Sequence, residues 1–120
     1  MRIIKSLEEL KMPNSHRVFL EHLLEHFKSY PIIERVILFG SCAKGEATQK
    51  SDIDLLLLGS GMTDEDEWDI VWNCPRWGGI EYVPYDLLSD TLDSYEEMSK
   101  TPGMVQYAIA LRGVDISELL

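Results

Sequence analysis

The chain has 120 residues, 45% of them hydrophobic and 27% charged, with a formal net charge of −10. This composition fits one globular domain over residues 1–120 with a single core, and it argues against a disordered chain. The acidic balance argues against a protein that grips nucleic acid by its phosphates, and no apolar run reaches the roughly 20 residues needed to span a bilayer.

The first six residues hold no apolar stretch of signal-peptide length, so a cytoplasmic location is expected. Cys42 and Cys74 are too few and too irregularly placed for a disulfide framework or a zinc site, and read as reduced thiols. An acidic chain can still bind a triphosphate, given a divalent cation and backbone N–H groups to offset the repulsion. It would also suit a basic protein partner.

In chain order, residues 5–12 suggest a short first helix. Asn14 or Ser15 then reads as the N-cap of a helix to about Tyr30, closed by Pro31. Phe19, Leu23 and Phe27 recur every fourth residue with Leu20 and Leu24 beside them, which gives that helix one apolar stripe. Arg35 to Phe39 is a continuous apolar run ended by Gly40, the pattern of a buried strand. Ser41 to Lys50 holds short polar residues and a second glycine, a loop with room for one helical turn. Asp52 to Leu58 reads as the next strand, stopped by Gly59-Ser60-Gly61.

Thr63 followed by Asp64, Glu65, Asp66 and Glu67 marks a helix start, with acids where the macrodipole favours them. Trp68, Val71 and Trp72 are expected to form its buried side. Asn73 to Gly79 reads as a turn region, and Ile80 to Leu88 as a third strand in which Pro84 implies an edge or a bulge. Ser89 or Asp90 would cap another helix. Thr101-Pro102 would start the last one, with Pro at its first position, and Gly113 would end it. Val114-Asp115-Ile116 suggests a short final strand. The alternation predicts an α/β (α+β) fold: a small mixed sheet of three to four strands, with helices packed mainly on one face.

The chemistry concentrates in Gly40-Ser41 and Asp52-x-Asp54. A glycine at the end of a buried strand lets a ligand approach the backbone closely, and a turn opened by Ser41 offers N–H groups and a hydroxyl to phosphate oxygens. Asp52 and Asp54 are two apart on a predicted strand, so both side chains leave the same face. Two carboxylates projecting together repel each other, and a hard cation such as Mg²⁺ relieves the repulsion. Turn and acidic strand are neighbours in sequence and are expected to be neighbours in the sheet. Metal-assisted attack on phosphorus is the chemistry this combination suits.

The stretch Leu38-Phe39-Gly40-Ser41-Cys42-Ala43-Lys44-Gly45-Glu46-Ala47 through Ser51-Asp52-Ile53-Asp54-Leu55 resembles the signature of minimal nucleotidyltransferases of the DNA polymerase beta superfamily. Their pattern is Gly-Ser, ten residues, then Asp-x-Asp, and the chain reproduces it without a gap. The resemblance implies that Asp52 and Asp54 hold Mg²⁺ and that Gly40 and Ser41, helped by Lys44, hold the phosphates of a nucleotide, ATP being the expected one. It also implies a third carboxylate on a neighbouring strand, as metal ligand and base for the attacking hydroxyl. Asp86, in Tyr85-Asp86-Leu87-Leu88, matches that setting best. Glu81 is the alternative, five residues earlier on the same predicted strand and so on its opposite face. Family members often carry arginines at the places of Cys42 and Lys44; Lys44 keeps a charge without the bidentate fork, and Cys42 loses it.

At this length the resemblance points to the stand-alone type, whose members often act as antitoxins by adenylylating a tyrosine of a small helical HEPN-type protein. A non-catalytic nucleotide-binding antitoxin and a small-molecule adenylyltransferase are the competing expectations, and the position of Asp86 separates catalysis from binding alone. No contact with nucleic acid or membrane is expected, and a homo-oligomer remains open.

Two other features have simpler readings. His22-Leu23-Leu24-Glu25-His26 matches a zinc-peptidase pattern, but the histidines flank the apolar stripe, Glu25 lies on the polar side, and no third ligand follows. Trp68 and Trp72 could stack a base, although their helical spacing suits core packing better.

Overall fold

The computed structural model describes residues 1–120. Its elements are β1 (Arg2–Ile3), α1 (Asn14–Phe27), β2 (Arg35–Phe39), α2 (Gly40–Lys44), β3 (Ile53–Gly59), α3 (Asp64–Trp72), β4 (Tyr85–Thr91), α4 (Leu92–Met98), α5 (Val105–Arg112) and β5 (Val114–Asp115), with single 3₁₀ turns at Leu7–Glu9 and Ser117–Leu119. The strands form one mixed sheet in the order β1-β5-β2-β3-β4. β2 runs antiparallel to both β3 and β5, whereas β3–β4 and β1–β5 are parallel pairs. The sheet therefore has five strands, one more than the upper end of the expected range. The extra one, β1, is a two-residue strand on Val114 and Asp115, too short to show any periodicity.

Strand alternation splits the core in two. Val36, Leu38, Ile53, Leu55 and Leu57 point to one face, where Phe19, Leu20, Leu23, Leu24 and Phe27 of α1 cover them in the larger cluster. Ile37, Leu56 and Leu58 point to the other, where Tyr95 of α4 and Ile109 of α5 form a smaller cluster. The apolar stripe of α1 is thus its buried face, and β3 is buried on both sides except at Asp54.

Several boundaries differ from expectation for local reasons. The helix expected over 5–12 is one 3₁₀ turn, held by a capping box between Ser6 and Glu9. α1 starts at Asn14 with Pro13 as N-cap, and the Pro13 carbonyl accepts from the amides of His16 and Arg17 at 3.1 Å each. Ser15 instead turns its hydroxyl to Gln49 at 3.0 Å. α1 ends at Phe27, and a turn carries the chain to Pro31. β4 starts at Tyr85, so Ile80 to Pro84 lie outside it; it then runs on through Ser89 and Asp90, and Thr91 caps α4 by accepting from the Ser94 amide at 3.0 Å. Residues 101–104 form turns, so α5 begins at Val105 and not at Pro102.

In α3 the capping box between Thr63 and Asp66 forms as the sequence suggests. Its buried side, however, is Ile70, fully covered, whereas Trp68 and Trp72 are 62% and 72% exposed and Val71 is also exposed. The largest apolar side chains of this helix face outward, reversing the expectation. No helix is long and apolar enough to cross a membrane.

Candidate functional site

The carboxylates meet at one end of the sheet. β2 finishes there, while its antiparallel neighbour β3 begins there, and β4 begins beside β3. Phe39 is the register partner of Asp54, and Asp54 is the partner of Asp86. Register partners share a face, so Asp54 and Asp86 stand side by side on the face that carries Leu56 and Leu58. Asp52 lies just before β3 and is exposed. Its charge reaches Asp54, whose carboxyl is raised above the usual range by burial first, then by the charges of Asp86 and Asp52. Glu81, exposed and outside any strand, is not in this row.

Gly40 makes the arrangement sterically possible. It has φ +73°, and a Cβ there would overlap the Oδ2 atom of Asp54. The glycine is thus required twice, by the left-handed backbone and by the acid packed against it. Ser41 follows in the single helical turn of α2, which Gly45 ends in the left-handed conformation at φ 74°. Lys44 is exposed at the far end of that turn, and Lys50 and Arg76 are also exposed. Cys42 is fully buried and donates to the Asp52 carbonyl at 3.6 Å. Burial first, then Asp54 and Asp52, push its thiol up to about 11, so it stays protonated near neutrality. Cys42 thus ties the segment that leads into the acidic strand to the core.

A second anchor acts from α1. His16 is 1% exposed, and its Nε2–H donates to the carbonyl of Ser51 at 2.7 Å. The Ser51 hydroxyl accepts from the Thr48 amide at 2.8 Å. Asp52 thus follows a segment tied to the main core. No sequence signal singles out His16, because a histidine within an apolar stripe gives no hint of a carbonyl 35 residues away.

His22 and His26 do not form a metal site. Their ring nitrogens lie 2.9 Å from the carbonyls of Val18 and Ile70, and no group of three or more His, Cys, Asp or Glu side chains is gathered as an ion site anywhere in the chain. The acids of the sheet end therefore stand near one another without forming a closed cage. None of the three ion pairs includes Asp52, Asp54 or Asp86.

Comparison with known proteins decides the family. The model of the nucleotidyltransferase domain matches residues 17–111. The chain belongs to the nucleotidyltransferase domain family. The matched span contains most of α1, the Gly40-Ser41 turn, all three aspartates and most of α5. Among solved structures, a Sulfolobus solfataricus protein assigned as a nucleotidyltransferase is 30% identical, over 61% of this chain and 66% of that one, with a TM-score of 0.44. The match thus takes in just under two thirds of that protein's length. No curated protein matches the present chain. General nucleotidyl transfer is the activity of the family.

Proposed function

We propose that this domain transfers the nucleotidyl group of a nucleoside triphosphate, ATP by the resemblance, to an acceptor hydroxyl, using Asp52, Asp54 and Asp86. The observation that carries the proposal is the register Asp54↔Asp86 beside the Gly40 turn. It gathers acids and phosphate turn at one sheet end, a placement that binding alone does not require.

The donor set fits Mg²⁺. Asp54 and Asp86 are register partners, with Asp52 two residues before Asp54. None of the three is in an ion pair, and the carboxyl of Asp54 is raised by burial first and then by the charges of Asp86 and Asp52. Mg²⁺ commonly takes only one or two carboxylates plus phosphate oxygens, so a complete protein cage is not required. Bound by Asp52, Asp54 and Asp86, it would neutralise charge on the phosphates.

The remaining work belongs to the chain. Gly40 and Ser41 receive the pyrophosphate end, and Lys44 offers a nearby charge. The acceptor oxygen forms a bond to the α-phosphorus as the bond from that phosphorus to the bridging oxygen of pyrophosphate breaks. The hydroxyl proton passes to the carboxylate of Asp86, and pyrophosphate leaves on the Gly40-Ser41 side. In-line geometry and positioning supply most of the rate.

The biological reading, supported by resemblance to the minimal class, is an antitoxin that adenylylates a tyrosine of a small helical HEPN-type protein. Incubation with ATP, Mg²⁺ and the product of the adjacent reading frame should add AMP to that protein, and Asp86→Asn should lower the rate at least about a hundredfold while ATP still binds. ATP binding without any AMP transfer by the wild type would favour a purely binding antitoxin instead. Transfer to a small molecule without a protein partner would favour the small-molecule enzyme.

A further inference from the structure

Across the sheet the order of the chemistry is fixed: the phosphate turn on β2, Asp54 on β3, Asp86 on β4, and then the open edge of the sheet. If phosphates lie toward β2, an in-line attack brings the acceptor from the opposite side, past β4. That side is not bare. A cleft of about 510 Å³ lies between β4 and α3, lined by Asp86, Tyr85, Val71 and Trp68 among others. Val71 and Tyr85 also line an adjoining, mostly apolar cavity of about 720 Å³, with Trp72 at its wall.

Trp68 and Trp72 lie one helical turn apart and stack on each other, ring centroids 5.2 Å apart and planes within 7°. They expose most of their surface although the protein has two apolar clusters in which to bury them. Stacking holds both rings in place, so a partner meets a preformed apolar surface and loses little rotamer entropy in ordering it. Helical spacing places Asp64, Glu65 and Asp69 around that surface. α3 carries five acids and no basic residue, and none of those acids takes part in an ion pair. A nucleotide's phosphates would be repelled from such a rim, whereas cationic side chains would be attracted to it.

We infer that the Trp68–Trp72 face of α3 is the docking surface for the protein that carries the acceptor hydroxyl, and that it takes a segment combining apolar and basic side chains. The inference rests on the transfer reading above. Apolar side chains cover the two rings, lysines or arginines meet Asp64, Glu65 and Asp69, and the hydroxyl enters the cleft toward Asp86. The tryptophans are docking residues and do not touch the reacting atoms.

The test uses the full chain and two synthetic amphipathic helices, one of lysine and leucine and one of glutamate and leucine, titrated by calorimetry in every variant, with tryptophan emission followed as well in the wild type. The lysine peptide should bind with a blue shift and the glutamate peptide should not. Trp68→Ala/Trp72→Ala should weaken lysine-peptide binding about tenfold or more, and Glu65→Lys should weaken it and increase its salt tolerance, with unchanged circular dichroism in both cases. MgATP affinity, measured by calorimetry, should be the same in both variants as in the wild type. No binding of the lysine peptide, or equal binding of both peptides, overturns the inference. Concentration-dependent dimerisation that buries the tryptophans assigns the face to a second copy, and loss of MgATP affinity in the double variant assigns it to the nucleobase; either result also overturns it. Failure of the wild type to bind MgATP would instead sink the transfer reading, a separate readout from the peptide titration.

Discussion

Gly40 and Gly61 allow backbone strain to be separated from interference with the site. Both are left-handed, at φ +73° and +72°, but a Cβ on Gly61 meets nothing within 4 Å, whereas one on Gly40 overlaps Oδ2 of Asp54 and comes within 3.1 Å of its Cγ. Alanine at either position enters the left-handed region at about 1–2 kcal/mol. At Gly40 the crowded atom ends a side chain, so Asp54 relieves the overlap by rotating about χ1, for under about 1.5 kcal/mol. In urea denaturation, Gly40→Ala and Gly61→Ala should therefore lose similar stability, differing by no more than about 1.5 kcal/mol. In calorimetry with MgATP they should part: Gly61→Ala keeps wild-type affinity, while Gly40→Ala, with its Asp54 carboxylate displaced, loses at least about tenfold, or 1.4 kcal/mol. Wild-type affinity in Gly40→Ala would refute the assignment of Asp54 to the metal. Equal losses of affinity in both variants would show that backbone strain alone is responsible.

Three further outcomes follow from packing and charge. Asp54 is raised in the folded state, so the native chain binds more protons than the unfolded one, and stability without metal should fall as pH rises from the ordinary carboxyl range through the raised value; Asp54→Asn should flatten that fall in thermal melts and raise the Tm at neutral pH. Asp115 is the opposite case. Burial raises its carboxyl, but the hydroxyl and amide of Ser117 and the guanidinium of Arg35, 3.0 Å away, outweigh it and lower the pKa. Its contribution is complete above the unfolded value and is lost as pH falls through the lowered one, so Arg35→Met should cost about 1–3 kcal/mol at neutral pH and less in acid. On α3, Ile70→Ala should cost about 2–5 kcal/mol in chemical denaturation, while Trp68→Ala and Trp72→Ala each stay within about 1 kcal/mol, since Ile70 alone is enclosed.

The placement of the acids is easier to read from sequence than the bounds of the elements around them. Asp52 and Asp54 are acids in an otherwise apolar run, and a period of two assigns their faces without tertiary information. The apolar setting of Asp86 places it on a strand, and the structure pairs it with Asp54, although that strand begins at Tyr85 instead of Ile80. Pro84 cannot donate to a ladder and marks that start; its carbonyl accepts from the Ile53 amide at 3.0 Å. Ser89 and Asp90 have the pattern of a cap yet lie in β4, because short polar residues serve both at helix starts and at sheet edges. The orientation of α3 is not legible in the sequence, because periodicity identifies an apolar face but not whether anything covers it. Ile70 lies on the opposite side, where one β-branched residue outweighs two larger rings in deciding which side is buried. The contacts of His16 and Cys42 beside Asp52 are not legible in the sequence, because their partners are backbone carbonyls, which carry no sequence signature.

The parallel pairing of β3 and β4 has an evolutionary consequence. Two parallel neighbours cannot be joined by a tight turn, so residues 60–84 must return along the sheet before β4 can begin. That return contains α3 and the aromatic segment behind it, and it passes the sheet edge next to Asp86. Insertions, deletions or exchanges within it would reshape that edge while leaving the spacing of Gly40, Asp52 and Asp54 untouched. The topology thus separates the part of the chain that spaces Gly40, Asp52 and Asp54 from a part whose length and sequence can change without moving them.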